Sequence, residues 1–226
     1  MKQKLTHFVS IPMNSPEIMK SFTNFKESVL RDCSSQGVEE SVFISANKLH
    51  LTVGVMSLMD DEEKLLATTL LTDAKEKVIM PILNYLPLKI RMKGLAYMKN
   101  NPEKIDVLYA KVEECGSQSG SLQQVADGVV DHFHSKGLMK KEEFGRKNVN
   151  LHVTLLNSRY RARASSQDVR TRQRIFRQSF DGTQILEKFG DYEFGVMEFG
   201  DIHLSQFGDI GADGYYLPLS IVSCAQ

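Results

Sequence analysis

The sequence predicts an α+β fold of two similar lobes, each a mostly antiparallel sheet flanked by helices, facing one another across a central cleft. Three observations predict it. A strand–helix–strand–helix–strand pattern runs from about residue 6 to 98, restarts at about 106 and ends near 223. Each copy carries the same kind of tetrapeptide, His50-Leu51-Thr52-Val53 and His152-Val153-Thr154-Leu155. The spacing is kept as well: Phe8 stands 42 residues before His50, and Tyr109 stands 43 before His152. Two copies of one unit in 226 residues make a single two-lobed domain with enough chain to bury a substantial core.

The elements follow in order. "THFVSIP" (6–12) is rich in β-formers and reads as a strand. Ser15-Pro16-Glu17 supplies an N-cap, a first-position proline and a first-turn acid for a helix to about 33, with Ile18, Phe22, Phe25 and Val29 on one face. The first His-Thr strand covers about 48–56. Asp60 and Glu63 then form a capping box for a helix with Leu66, Leu70, Ala74 and Ile82 inward. Residues 86–98 read as a strand or a bent strand pair. In the second copy, "DVLYAKV" (106–112) is a strand, Ser121 with Gln124 caps a helix to about 136, and the second His-Thr strand covers 148–156. A short helix around 183–189 and strands near 192–199, 201–207 and 215–223 complete the chain.

Composition excludes several classes of function. Twenty-eight Lys+Arg balance 28 Asp+Glu, so no whole-protein field draws in nucleic acid or membrane. Cys33, Cys115 and Cys224 are odd in number and far apart, which argues against a disulfide framework and a structural zinc site. No apolar run approaches the ~20 residues that span a bilayer, and the N-terminal apolar stretch is too short for a signal peptide. A reducing intracellular compartment is expected. The chain starts almost directly in a strand, as a domain cut from something longer would.

Alternation along a strand sends His50 and Thr52 to one face and Leu49, Leu51 and Val53 to the other; His152 and Thr154 separate from Leu151, Val153 and Leu155 in the same way. With six histidines in the chain, roughly 0.14 matches to such a tetrapeptide are expected by chance, and there are two. His203-Leu204-Ser205-Gln206 nearly fits but lies outside the repeat phase, so His203 is expected to be structural or supporting. His7, His132 and His134 are expected at the surface or as caps.

Two His/Thr pairs suit some chemistries and not others. Zinc normally takes three or four ligands, and no Asp, Glu or Cys repeats with the histidines. A Ser-His-Asp triad needs an orienting acid that neither strand offers. Hydrolysis of a phosphodiester fits: one imidazole takes a proton from water, the other protonates the departing oxygen, and two threonine hydroxyls donate to the phosphoryl oxygens. No metal or other cofactor is called for.

The paired motifs, the repeat and the strand preceding each copy resemble the two-histidine (2H) phosphoesterase superfamily. "KLHLTVGVMSLMDDEE", "DVLYAKV", "SFDGTQIL" (179–186) and "IHLSQFGD" (202–209) are most similar to the branch that includes the C-terminal domain of a transcription-cointegrator subunit and the central domain of an A-kinase anchoring protein. The resemblance covers the chain from Thr6 to about Ser220. It implies that His50 and His152 are catalytic and that Thr52 and Thr154 bind phosphate. It further implies a 2′,3′-cyclic or 2′-5′ phosphodiester of RNA or a small nucleotide as ligand, a nuclear location, and other subunits of a cointegrator complex as partners. The alternatives are an idle nucleotide- or RNA-binding module of a coactivator and DNA-alkylation-repair complex, or an interaction scaffold without ligand.

Further binding residues are expected around this centre. Phe8 and Tyr109 hold matching repeat positions, and in the cleft they could stack on a base, with Lys111 beside Tyr109 as a further substrate-binding residue. The insertion at 158–178 holds Arg159, Arg161, Arg163, Arg170, Arg172, Arg174 and Arg177 against the single acid Asp168, a basic segment suited to RNA phosphates.

Overall fold

A computed structural model of the chain describes residues 4–33, 35–116, 120–139, 148–164 and 178–224. Among the described residues, eight strands form one antiparallel sheet: β1 (His7–Pro12), β2 (His50–Met56), β3 (Lys89–Tyr97), β4 (Val107–Cys115), β5 (Val153–Asn157), β6 (Glu193–Glu198), β7 (Asp201–Ile210) and β8 (Tyr216–Ser223). Their order is β6-β3-β4-β5-β2-β1-β7-β8. The two sheets expected from the repeat are the halves of this order. They meet at one register pair, Leu51 of β2 opposite Val153 of β5, whereas β1 and β2 stay paired from His7–Met56 to Pro12–His50.

A pseudo-two-fold axis through the Leu51–Val153 pair exchanges β1 with β4, β2 with β5, β3 with β7 and β6 with β8. Each repeat thereby lends its later strands to the other's half. β3 lies between β4 and β6, and β7 lies between β1 and β8.

Helix α1 (Pro16–Asp32) begins where Ser15 Oγ accepts from Ile18 N, with Pro16 at its first position. Its expected stripe of Ile18, Phe22, Phe25 and Val29 is buried. Phe25 meets the rings of Phe194 and Tyr192 at 5.2 Å and Phe189 at 5.6 Å, which fastens α1 onto β6. Helix α2 (Asp61–Ala74) begins with half of the expected capping box: Asp60 Oδ1 accepts from Glu63 N at 2.8 Å, but the Glu63 carboxylate accepts from Met59 N, one residue before the cap, at 2.6 Å. It then passes through a π-helical turn (Lys75–Ile79) into a short α3 (Met80–Ile82).

The inward face of α2 differs from expectation. Ala67, Leu70, Leu71 and Ala74 are buried, and Leu66 is 40% exposed. Steps of four residues drift ~40° around a helix, so Leu66 leaves the face that the mixed three- and four-residue spacing keeps. Helix α4 (Ser121–His134) also starts differently. Its cap is Gly120, at φ +89°, and the Glu114 carboxylate accepts from Leu122 N, so the preceding strand supplies the acceptor that Ser121 was expected to provide.

Helices α5 (Ser158–Ala164) and α6 (Thr183–Phe189) flank the far half. The ends of β4 and β5 are held there by buried Asp106, which accepts from Ser179 Oγ at 2.8 Å and Ser158 Oγ at 3.4 Å and pairs with the Lys99 ammonium. Of the histidines expected at the surface, His7 is instead buried, with Nδ1 2.9 Å from Thr6 Oγ1. His134 is exposed at the end of α4, and its Nδ1 donates to the Met139 carbonyl beyond the helix at 2.8 Å. The three cysteines are free thiols. Among the described residues, no helix is long and apolar enough to cross a membrane.

Candidate active site

Alternation on β2 and β5 buries Leu51, Val53, Val153 and Leu155 and leaves His50, Thr52, His152 and Thr154 half-buried on the opposite face. Register completes the arrangement. With Leu51 opposite Val153, antiparallel pairing sets Thr154 across from His50, and His152 across from Thr52. The four side chains thus occupy the corners of one small patch with the pseudo-two-fold axis at its centre. His152 is close enough for its charge to oppose protonation of His50.

Both imidazoles are tethered in the same way. His50 Nδ1 donates to the Lys48 carbonyl at 2.7 Å, and His152 Nδ1 donates to the Asn150 carbonyl at 2.7 Å. A carbonyl can only accept, so each neutral ring carries its proton on Nδ1 and its lone pair on Nε2. The tether runs to the residue two positions back, so the strand's own backbone orients the ring.

Burial pushes the His50 imidazole down from 6.5 to about 4; the Lys48 carbonyl pulls weakly upward and the His152 charge presses it down further. His50 is therefore a neutral base at pH 7. Linkage follows from the same shift. The unfolded chain takes up the proton near pH 6.5 and the folded chain only near 4, so the native state loses stability as pH falls through that window. Denaturant titrations between pH 7 and 4 are expected to show a loss of up to about 3 kcal/mol from this group, largely absent in His50→Gln.

One of the expected binding residues needs correction. Phe8 is 1% exposed and lies under Phe207 at 4.6 Å, so it backs the His50 ring at 5.5 Å and has no face for a base. Nor does it match Tyr109. The residue opposite Thr52 is Ser10, and the residue opposite Thr154 is Tyr109. Each pair carries the same one-residue bulge, at Val9/Ser10 and at Leu108/Tyr109, so the mismatch lies in the connections: Ser10 stands 40 residues before His50, and Tyr109 stands 43 before His152. Tyr109 is half-buried, edge-on to His152 at 5.0 Å. Lys111 is exposed, on the same face as Tyr109, and its stem crosses Gly94, which sits at φ +77° where a Cβ would come within 2.7 Å of Lys111 Cε.

Of the basic segment, Arg161 is committed elsewhere: it donates to Glu39 Oε1 at 2.5 Å, to the Gln178 carbonyl at 2.8 Å and to the Gly37 carbonyl. Arg159 is exposed. The side chain of Arg163 and all of Arg170, Arg172, Arg174 and Arg177 lie outside the described residues.

The β7–β8 hairpin adds neighbours that sequence reasoning did not assign. Tyr216 stands edge-on to His50 at 5.4 Å, and Lys48 Nζ lies 5.8 Å over its ring. Buried Tyr215 shares a 2.9 Å hydrogen bond with Ser10, and burial raises its phenol well above the ordinary range. His203 pairs with Ser10 and so shares the His50/Thr52 face, 5.3 Å from Tyr215. It lines an adjoining cavity of about 250 Å³ with Asn14, Asp201, Asp213 and Tyr215. The "GADGYY" turn (211–216) was the available signal, since two tyrosines follow a glycine turn and the second begins β8. Among the described residues, no group of three or more His, Cys, Asp or Glu is placed to hold a metal ion.

A curled antiparallel sheet about a pseudo-two-fold axis, with one His-x-Thr motif at each of its two central strands, defines a 2H phosphoesterase fold. The comparisons agree and narrow it. The chain belongs to the AKAP7 2′5′ RNA ligase-like domain family, whose model matches residues 5–223. It is 36% identical over 223 residues to activating signal cointegrator 1 complex subunit 1 of Mus musculus, covering 95% of this chain and 62% of that protein. The chain therefore spans about three-fifths of that relative's length. An uncharacterised Schizosaccharomyces pombe protein is 25% identical over 218 residues, covering 95% of this chain and 94% of that one. Among solved structures, TT0787 of Thermus thermophilus superposes with a TM-score of 0.58 at 16% identity, over 97% of each chain. Escherichia coli LigT complexed with NADP+ superposes at 0.54 and 13%, over 98% of this chain and 99% of that one. At these identities the solved structures attest the fold.

Proposed function

We propose that this chain is a phosphodiesterase domain that cleaves 2′,3′-cyclic or 2′-5′ phosphodiesters of RNA ends or small nucleotides without a metal ion. One observation carries the reading: two identically tethered histidines and two threonines disposed about the Leu51–Val153 pair. A phosphoryl group over that patch meets a hydroxyl donor and an imidazole from each strand. His50, neutral through burial, takes a proton from the attacking water at Nε2. Thr52 and Thr154 donate to the non-bridging oxygens, where charge builds. His152 hands a proton to the departing ribose oxygen, and the next turnover begins when the two rings re-equilibrate their protons with solvent. The base and the acid are both imidazoles, which is why the scheme needs no Lewis acid.

The test is a panel of 2′,3′-cyclic-phosphate-terminated and 2′-5′-linked oligonucleotides incubated with the wild-type chain and EDTA. Hydrolysis that survives chelation is the expected result. Activity lost on chelation would sink the metal-free scheme.

A second reading rests on the 36% identical relative, named as a subunit of a cointegrator complex. In it the patch binds a nucleotide or RNA phosphate without turnover, inside a nuclear assembly concerned with transcription coactivation and repair of alkylated DNA. Binding of the same oligonucleotides with no product would favour it.

A further inference from the structure

The tether of His50 has supports of its own. Lys48, whose carbonyl holds the imidazole, ends a short helical turn, Ala46–Lys48, that leads into β2. That turn closes on two backbone hydrogen bonds, Lys48 N to the Ser45 carbonyl at 2.9 Å and Leu49 N to the Ala46 carbonyl at 3.3 Å. So short a turn does not fix its own conformation, because its few bonds do not offset the entropy of ordering it. Asn47, in its middle, ties it down on two sides. Its carbonyl accepts from Asn14 Nδ2 at 2.9 Å, just past the end of β1, and its side chain Nδ2 donates to the Asp213 carbonyl at 2.9 Å in the β7–β8 turn. A carbonyl can only accept, so the Asn47 amide presents its NH2 there. The approach is close: Gly214 sits at φ +79°, and a Cβ on it would come within 2.5 Å of Asn47 Nδ2.

The β7–β8 turn is itself well formed. Gly211 N donates to the Tyr215 carbonyl at 2.8 Å, and Asp213 Oδ1 accepts from Tyr215 N at 2.9 Å. The turn delivers the two tyrosines whose rings stand edge-on to His50, Tyr215 at 6.4 Å and Tyr216 at 5.4 Å. The hairpin is thus fastened twice beside His50. In the core the Tyr215 hydroxyl bonds to Ser10, and nearer the surface Asn47 holds the turn.

We infer that Asn47 is a positioning residue for His50, clasping the β7–β8 turn to the segment that carries the imidazole's tether. Its purpose rests on the phosphodiesterase reading, whereas its geometry does not. The clasp does two things at once. It keeps the Lys48 carbonyl where Nδ1 meets it, so the lone pair stays on Nε2. It also keeps the two tyrosine rings against the imidazole, and that cover holds water off the ring. Burial is what depresses the His50 imidazole, so a loosened hairpin lets it climb back toward 6.5. The other ionisable groups around the ring are Lys48 ahead of β2, His152 before β5, and Tyr215 and Tyr216 of the hairpin. His203 of β7, with Asp201 and Asp213 near it, adjoins Tyr215. A change at Asn47 removes none of these groups; what it alters is the access of water.

The experiment follows the His50 ring by NMR as pH falls, in the wild type, Asn47→Ala and Gly214→Ala, with the signal assigned by its loss in His50→Gln. In Asn47→Ala the His50 titration is expected to move up by about one unit, the Tyr215–Ser10 bond still holding the hairpin from inside. Gly214→Ala pushes the same contact apart from the other side and should move it in the same direction. Only folded molecules give these signals, so a variant that is merely less stable keeps the wild-type titration. Either variant, folded and with His50 titrating as in the wild type, overturns the clasp; if Gly214→Ala does not fold, Asn47→Ala decides alone. On a 2′,3′-cyclic-phosphate oligonucleotide, Asn47→Ala should lower kcat by about tenfold at unchanged KM. A shifted titration with wild-type kcat would overturn the positioning role. A wild type with no turnover takes down the phosphodiesterase reading and leaves the titration to judge the clasp.

Discussion

Replacing either His50 or His152 by alanine is expected to lower the turnover of a 2′,3′-cyclic-phosphate end by about 10²–10⁴-fold, and the double replacement to do little more. Two imidazoles that act in one step as base and acid are not additive: once one proton transfer fails, the other has nothing to assist. The pH profiles separate the roles. With His50 held at about 4, the acidic limb of kcat/KM should fall well below the ordinary histidine range. Thr52→Val and Thr154→Val keep the shape of the side chain and remove the donor, so each should cost turnover while both imidazoles retain their carbonyl tethers. A His50→Ala variant that turns over like the wild type would remove the histidine from the chemistry.

Leu51→Ala is the other change with a large expected effect, this time on stability. Leu51 is fully buried, and it is the β2 member of the one register pair that joins the two halves of the sheet. Its truncation is expected to cost about 2–5 kcal/mol in urea denaturation, against at most about 0.5 for Leu65→Ala, where the side chain is 69% exposed. Activity per folded molecule should fall too, because the histidines flank this pair and small misplacements of reacting groups are costly. A Leu51→Ala variant with native stability would mean that the halves are held together elsewhere.

The four residues of the patch were legible in the sequence because strand alternation is a period of two, and two copies of it in repeat phase leave little to chance. Helix α1 was legible for a similar reason: its cap and its apolar stripe agree. Other features failed on local geometry. Connections of unequal length between the first strand and the His-Thr strand of each copy made the Phe8–Tyr109 correspondence wrong, and a glycine at positive φ replaced the expected Ser121 cap. The β7–β8 hairpin was foreseen as strands but not as part of the site. Its neighbours Phe8 and His50 lie some 150 residues or more away in sequence, and no pattern within β8 records them. Arg161 shows the limit of counting charges: an arginine in a basic run can be fully spent on a local carboxylate and two carbonyls.

The exchange of strands between the halves also governs the order in which the molecule can be assembled. β1 is made first, at residues 7–12, yet one of its two neighbours is β7, made only after residue 200. On a ribosome, the half that carries His50 waits with an open edge until almost the whole chain has been synthesised, and contacts this distant in sequence make for slow closure. Severing the chain in the 99–105 segment between repeats would leave two fragments, each lacking strands that only the other supplies. That strand order leads us to expect one cooperative unfolding transition, although the sequence reads as one motif written twice.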